Sequence, residues 1–598
     1  MCSFKQIRLY VNRYKMYNLI EDSASLQKAV VTVLVSFSGL WIIHTCWKNR
    51  NIREKIRNKQ RECRDSLNKL EGYIKENGLT KRRQEDILKL KFTELLSKLQ
   101  RGQLTSSDTL KAYQAKAIEK NRDLNFIVEP IWEAIPLAED CDTQKKRLPL
   151  HGIPVSIKEN YFLKKFDCTG GMSPMIGKPA KEDGVLVKVL KHVGAVPFVR
   201  TNIPQTMMTC ECSNPIYGTT VNPHNLKRGP GGSSGGEACI LGAEASILGW
   251  GSDIGGSLRI PSHFCGTSCL KPTSGRLSLK SSEELDGGNM QTLIRATPGP
   301  MARDVDTLVT AMKAVLCPYH FELDPDVPPL PFNTEVYESK RKLRIGYYTY
   351  DGYVPCIPSV ERGVLEAKSA LESMGHTLVS FEVPNVEEMF GTLFLKACFG
   401  DGGEHFLEMM KNDEIDPSIQ LLVYLYKLPF FMQKILSYVA SFIAKEKVPG
   451  LQIRSMQGVK SVKDWWQLAG QIDRYRKDFM SLWKKDNLDA ILCPTMPYVA
   501  PPTGTVKYLI GGVTYTTLYN VLNFPAGCVP VTKATAVDEQ NMKNYPNVTG
   551  TQKFIKKYFS SDTGGLPVSV QCVGLPFQEE LVLRVMKELE TGLKQLKE

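Results

Sequence analysis

Apolar residues along the chain fall into regions of different pattern. Ala29–Trp47, AVVTVLVSFSGLWIIHTCW, contains no Asp, Glu, Lys or Arg. At about 1.5 Å per residue it spans roughly 28 Å, enough for a hydrocarbon core, so one transmembrane helix is expected there. From Ile52 to about Leu99 the chain is strongly charged, with leucines such as Leu88, Leu95 and Leu99 at helical intervals. This periodicity predicts long helices that lead away from the anchor and pack on the body. Thr105-Ser106-Ser107-Asp108 offers an N-terminal cap to a helix carrying Leu110 and Tyr113. Beyond it, β-branched runs alternate with Gly/Pro turns and helical stretches, as in Val185–Leu190 followed by Ala195–Phe198, which is α/β patterning.

A second apolar stretch, Leu421–Ile443, is broken by Pro429. Its second piece places Phe431, Ile435, Val439 and Phe442 on one face, and Lys434, Ser437, Ser441 and Lys445 on the other. Such a helix either packs on a core through its apolar face or lies in a lipid interface. The expected organisation is therefore an anchored segment over 1–47 with the span at 29–47, and a charged helical linker over 48–103. One catalytic domain over 104–598 follows, carrying the amphipathic insertion at about 421–445.

Charge sharpens this picture. The net charge is +13, but residues 1–64 hold thirteen Lys/Arg against four Asp/Glu. A basic flank beside a membrane span accounts for most of the excess, and a nucleic-acid groove is not indicated. The positive residues crowd the C-terminal side of the span, which places the large C-terminal part in the cytosol. Sixteen scattered cysteines show no metal-ligand spacing and suit a reducing compartment. On that side of the membrane the sequon at Asn547 goes unused.

Three segments carry candidate chemistry. Lys158 ends the apolar run Val155–Ile157, a position where desolvation disfavours the ammonium and makes a lysine usable as a base. Gly229–Glu237 packs five glycines around Ser233 and Ser234. A phosphate-cradling loop, a nucleophile elbow and a catalytic loop of Ser-Lys type all compete for it. Gly249–Pro261 discriminates among these readings: Ser257 follows a glycine pair, so Ile254–Ser257 offers successive backbone N–H groups to a developing oxyanion.

Taken together, Gly-Gly-Ser-Ser-Gly-Gly at 231–236, Asp-Ile-Gly-Gly-Ser-x-Arg-x-Pro at 253–261 and the upstream Pro154-x-x-x-Lys158 resemble the amidase signature family. The resemblance continues through Asn523–Gly527 and Gly565–Gln571 and covers roughly 104–598. Gly299–Asp304, Leu323–Phe332, the anchor and the amphipathic insertion are similar to family members acting on fatty-acyl amides. The resemblance implies an α/β fold with a large mixed β-sheet core surrounded by helices. It also implies a homodimer docked on the endoplasmic reticulum or another internal membrane, with lipid amides as substrate and no metal or cofactor. Ser257 would be the nucleophile, Ser233 the bridging serine on a cis peptide, and Lys158 the terminal base. The N–H groups of Ile254, Gly255, Gly256 and Ser257 would form the oxyanion hole, with Met207 at the substrate. Met208 and Cys210 stand where the family has aromatic residues beside the acyl pocket, which leaves the preferred acyl chain open. Cleavage of monoacyl esters is compatible with the same site. Two other readings are an amidotransferase subunit of the same family and a non-catalytic lipid carrier.

Overall fold

The computed structural model describes residues 50–280 and 292–596. The expected span at 29–47 lies outside the described residues, among which no helix is long and apolar enough to cross a membrane. Residues from Ile56 onward form one compact unit.

Among the described residues thirteen strands occur in chain order: β1 (Ile127–Pro130), β2 (Pro154–Lys158), β3 (Val196–Thr201), β4 (Ser213–Asn214), β5 (Gly218–Thr219), β6 (Leu248–Asp253), β7 (Ser268–Lys271), β8 (Thr297–Ala302), β9 (Arg344–Tyr347), β10 (Thr377–Ser380), β11 (Ala490–Pro494), β12 (Ala526–Lys533) and β13 (Pro567–Val573). The short β4 and β5 pair with each other, and the other eleven make one mixed sheet ordered β1-β3-β2-β6-β8-β7-β12-β13-β11-β9-β10. Every residue of β2, β3, β7, β8, β11 and β13 is buried. Near-continuous apolar runs are what a sheet covered on both faces requires. Val185–His192 is a helix and the following run is β3, so the pattern at 185–198 resolves into a helix–strand pair.

The parallel portion of the sheet positions the site. β2 runs parallel to β3 and to β6, with Ile157 opposite Trp250. Lys158 and Ser252 therefore emerge together at the C-terminal ends of adjacent strands, the edge where α/β sheets place their ligands.

The charged N-terminal stretch forms helices over 50–77, Lys81–Leu88 and Phe92–Gln100. Thr105 then caps the helix Ser106–Leu124 by accepting the Asp108 N–H at 3.1 Å. Lys59, only 6% exposed, holds the first of these helices to the body. Its ammonium pairs with Glu129 at 2.7 Å and Asp167 at 3.1 Å, and Glu129 in turn pairs with buried Arg200 at 2.9 Å. Burial opposes the charge on Lys59, but the two carboxylates outweigh it and hold the ammonium above the ordinary lysine range.

The insertion is a helix Gln420–Lys427, a break at Pro429, and a helix Phe430–Ala444. The most buried positions of this second helix are polar, and its apolar face points outward. Gln433 and Ser437 are its buried residues, while Phe431, Phe442 and Ile443 are 63%, 85% and 73% exposed. Gln433 Nε2 donates to the carbonyls of Leu425 and Leu428, at 3.1 and 3.0 Å. Gln433 thus joins the two helices of the insertion, and the apolar face is not packed on the core.

Lys59→Met is expected to destabilise the fold by about 3 kcal/mol, because two carboxylates lose their buried cation. A lowered Tm checks this; an unchanged Tm would mean that this ion pair does not hold the helix.

Candidate functional site

Lys158 is fully buried, and its Nζ lies 2.7 Å from Ser233 Oγ and 2.9 Å from Ser252 Oγ. Desolvation lowers its pKa to about 7, although Asp253, Glu237 and Glu159 pull the other way. The amine is thus partly neutral near physiological pH, with two N–H donors and a free lone pair. Lys271 is also buried and lowered to about 7 by desolvation. Its Nζ donates to the Pro272 carbonyl at 3.0 Å and it lines no described cavity. Geometry, not titration alone, singles out Lys158.

Ser233 follows a cis peptide from Gly232 at the start of the glycine-rich turn that feeds the helix Gly235–Gly242. The turn is tied to the next segment by the Ser234 N–H, which donates to the Ser257 carbonyl at 3.1 Å. Within the helix, Glu237 is buried, accepts from Ser156 and, at 2.6 Å, from Thr201, and is pushed up to about 7 by desolvation.

The turn after β6 is built around Asp253. Its carboxylate accepts the Gly256 N–H at 2.8 Å and the Leu258 N–H at 3.1 Å. It also pairs with fully buried Arg259 through Nη2 at 3.0 Å and Nε at 3.1 Å, and accepts Asn520 Nδ2 at 2.9 Å. Burial would raise the Asp253 pKa, but Arg259 and these donors hold it well below the usual carboxylate range. Gly256 adopts φ 126°, and a Cβ there would sit 2.4 Å from Thr516 Oγ1, so the position needs glycine.

This geometry bears on the expected oxyanion donors. Thr516 Oγ1 donates to the Gly255 carbonyl at 2.8 Å. Both polar ends of the Gly255–Gly256 peptide are therefore engaged, and the Gly256 N–H is held by Asp253. Among the described residues the N–H groups of Ile254, Gly255 and Ser257 have no hydrogen-bond partner. Three donors, not four, are free.

Ser257 and these donors border a cavity of ≈ 700 Å³. Its walls include Met172, Met207, Met208, Cys210, Phe390, Phe394, Phe399 and Leu422. Thr206 and Met207 both have left-handed backbones, φ 61° and 60°; for a β-branched residue such as Thr206 this costs about 1–3 kcal/mol. Burial pushes the Cys210 thiol up to about 12, so it stays protonated and is a poor nucleophile. Lys158 and Ser233 are joined directly. Ser257 shares the cavity with Gly232, but among the described residues its Oγ makes no hydrogen bond to Ser233. Asp253, Arg259, Ser252 and Thr516 were not singled out from the sequence. Asp253 and Arg259 lie inside the motif at 253–261 and Ser252 immediately precedes it, so their place in that segment was the available signal.

A buried lysine bonded to two serines, a third serine at an apolar cavity and free backbone donors beside it are the groups that acyl-transfer chemistry uses. Residues 108–583 match the amidase family. The chain belongs to that family and is a hydrolase acting on amide bonds. It is 41% identical over 513 residues to fatty-acid amide hydrolase 1 of Sus scrofa, covering 85% of this chain and 86% of the relative. It is 36% identical to fatty acid amide hydrolase 1 of Caenorhabditis elegans, covering 94% and 99%. A solved structure of a fatty acid amide hydrolase superimposes with TM-score 0.77 at 26% identity, covering 91% of this chain and 96% of that one.

Lys158 accepts a proton only when neutral. Turnover is therefore expected to fall about tenfold per pH unit below about 7. A profile of kcat/KM against pH checks this, and an acid limb near pH 4 would instead assign the base to a carboxylate.

Proposed function

We propose that this chain hydrolyses fatty-acid amides, both N-acylethanolamines and primary fatty amides, through an acyl-enzyme on Ser257. The observation that carries the reading is the buried Lys158–Ser233 hydrogen bond at 2.7 Å beneath an apolar cavity bordered by Ser257. Relatives named as fatty-acid amide hydrolases support the substrate class.

In the mechanism, neutral Lys158 takes a proton from Ser233 as Ser233 takes one from Ser257, whose Oγ attacks the amide carbon. Closing this relay requires a Ser257 rotamer that brings its Oγ to Ser233, a hydrogen bond that forms with substrate in place. The carbonyl oxygen becomes an oxyanion facing the N–H groups of Ile254, Gly255 and Ser257. The proton on Lys158 returns through Ser233 to the leaving nitrogen as the C–N bond breaks, because an amine anion cannot depart unprotonated. Water then attacks the acyl-enzyme with Lys158 and Ser233 again moving the proton. Monoacyl esters acylate Ser257 by the same steps.

Lipid substrate reaches the cavity from a membrane. Leu422 lines the cavity, while Leu421 and Tyr424 in the same helix are 51% and 56% exposed. Exposed Lys427, Lys434, Lys445 and Lys447 stand beside this apolar surface, the arrangement of an interfacial helix facing lipid phosphates. The proposed setting is a homodimer on the endoplasmic reticulum or another internal membrane. Residues 29–47 anchor it there, with the catalytic body in the cytosol.

Ser257→Ala should lower kcat by about 10³-fold or more and abolish labelling by a fluorophosphonate. Undiminished labelling of that variant would sink the nucleophile assignment. In a protein beginning at residue 50, Phe431→Glu with Ile435→Glu is expected to abolish sedimentation with phospholipid vesicles while turnover of a soluble amide persists. Loss of folding or of dimers without a separable lipid defect would make this surface a protein interface instead.

A further inference from the structure

One wall of the cavity is assembled from segments far apart in sequence: Met172, the Thr206–Met207 pair, and Met409 and Leu422 on either side of the turn at 410–419. The groups that fix these segments to one another are polar and lie just behind the wall. Gln205, fully buried, donates from Nε2 to Asp413 Oδ2 at 3.0 Å and to the Glu414 carbonyl at 2.8 Å. Its Oε1 accepts the Asp416 N–H at 2.8 Å. The Asp413 carboxylate also accepts the Ser173 N–H, at 3.1 and 3.2 Å, and the Ser173 hydroxyl. Asp416 accepts from Ser213 Oγ and from the Ser418 N–H, both at 2.8 Å.

Each of these residues adjoins a piece of the wall. Ser173 follows Met172, Gln205 precedes the strained Thr206–Met207 pair, and Asp416 stands one turn before the helix Gln420–Lys427. The backbones are also in close approach: Gly171 has φ 72°, and a Cβ there would lie 2.9 Å from Gln205 Cα. Behind the turn Phe406, Met410, Ile419, Val423 and Tyr426 form a small core of their own with Met172. The helix that begins this core's lipid-facing side is thus tied to the left-handed pair through a single amide side chain.

We infer that Gln205 is a positioning residue which, through the Asp413–Asp416 turn, sets the shape of the acyl end of the cavity and joins it to the exposed apolar helices. Gln205 does not itself line the cavity. Its loss leaves the Asp413 carboxylate and the Asp416 N–H short of a partner, and lets the turn and the Thr206–Met207 pair separate. The end of the cavity that takes a long chain is then affected, while Ser257, Ser233 and Lys158 keep their geometry. This rests on the fatty-amide reading of the site.

The test measures binding and covalent reactivity separately on the full chain. Gln205→Ala is expected to weaken binding of cis-parinaric acid, a fluorescent long-chain polyene acid, by about tenfold, and Asp413→Asn by about threefold. The rate of Ser257 labelling by a short-chain fluorophosphonate should stay within about twofold in both. The double variant should bind the probe no more weakly than Gln205→Ala alone, because both changes break one network. Should Gln205→Ala fail to fold, the Asp413→Asn measurement decides. Unchanged probe affinity, or labelling that falls in parallel with it, overturns the inference. An unaltered protein that binds the probe and labels at Ser257 but cleaves no fatty amide would overturn the substrate reading and leave the clamp standing.

Discussion

The nitrogen of Lys158 has lost its water and gained hydroxyl partners in place of a carboxylate, and the rest of the site depends on that exchange. A buried ammonium normally secures an anion, since leaving a charge unpaired in a low-dielectric interior is costly. The carboxylate that pulls on it most, Asp253, is already saturated by Arg259, Asn520 and two backbone N–H groups. Lys158 is left with Ser233 and Ser252, and desolvation prevails over the long-range pull of Asp253. The same carboxylate shapes the turn that carries Ser257 and its free donors. Asp253 thus orders the Ser257 loop while making no ion pair with Lys158. An isosteric Asn at 253 would loosen the turn and remove a charge that raises the Lys158 pKa.

The fold supplies the two remaining requirements, dryness and access. Strands buried on both faces bring Lys158 and Ser252 out side by side under the glycine-rich turn. The cavity beyond is walled by methionine and phenylalanine, and methionine adapts to irregular apolar shapes better than an aromatic ring does. Next to it stands a helix pair joined through Gln433 and exposing phenylalanine. An apolar helix face left this exposed makes physical sense only where it meets something apolar.

Local chemistry was readable from the sequence because local rules govern it. The Thr105 cap, the break at Pro429 and the strand-end placement of Lys158 follow from turn, cap and burial preferences of neighbouring residues. Ser233 and Ser257 stood out because glycine-rich segments have few other uses. What the sequence could not convey is competition for shared partners. Counting successive N–H groups gives four oxyanion donors, but the Asp253 side chain folds back and takes the one from Gly256. Periodicity placed Phe431, Ile435, Val439 and Phe442 on one face, yet an apolar face pointing to a core and one pointing outward have the same period. Gln205 and Asp413 lie far apart in the chain, and no local rule pairs them.

The proposed mechanism turns on Lys158 delivering a proton to the leaving group as well as removing one from Ser257. The most direct measurement compares acylation rates for a matched fatty amide and ester in Lys158→Ala. An alkoxide leaves with far less help than an amine does, so amide cleavage should fall much further than ester cleavage, by about 10² or more in relative terms. Equal losses for the two substrates would contradict the account and reduce Lys158 to a residue that only positions Ser233.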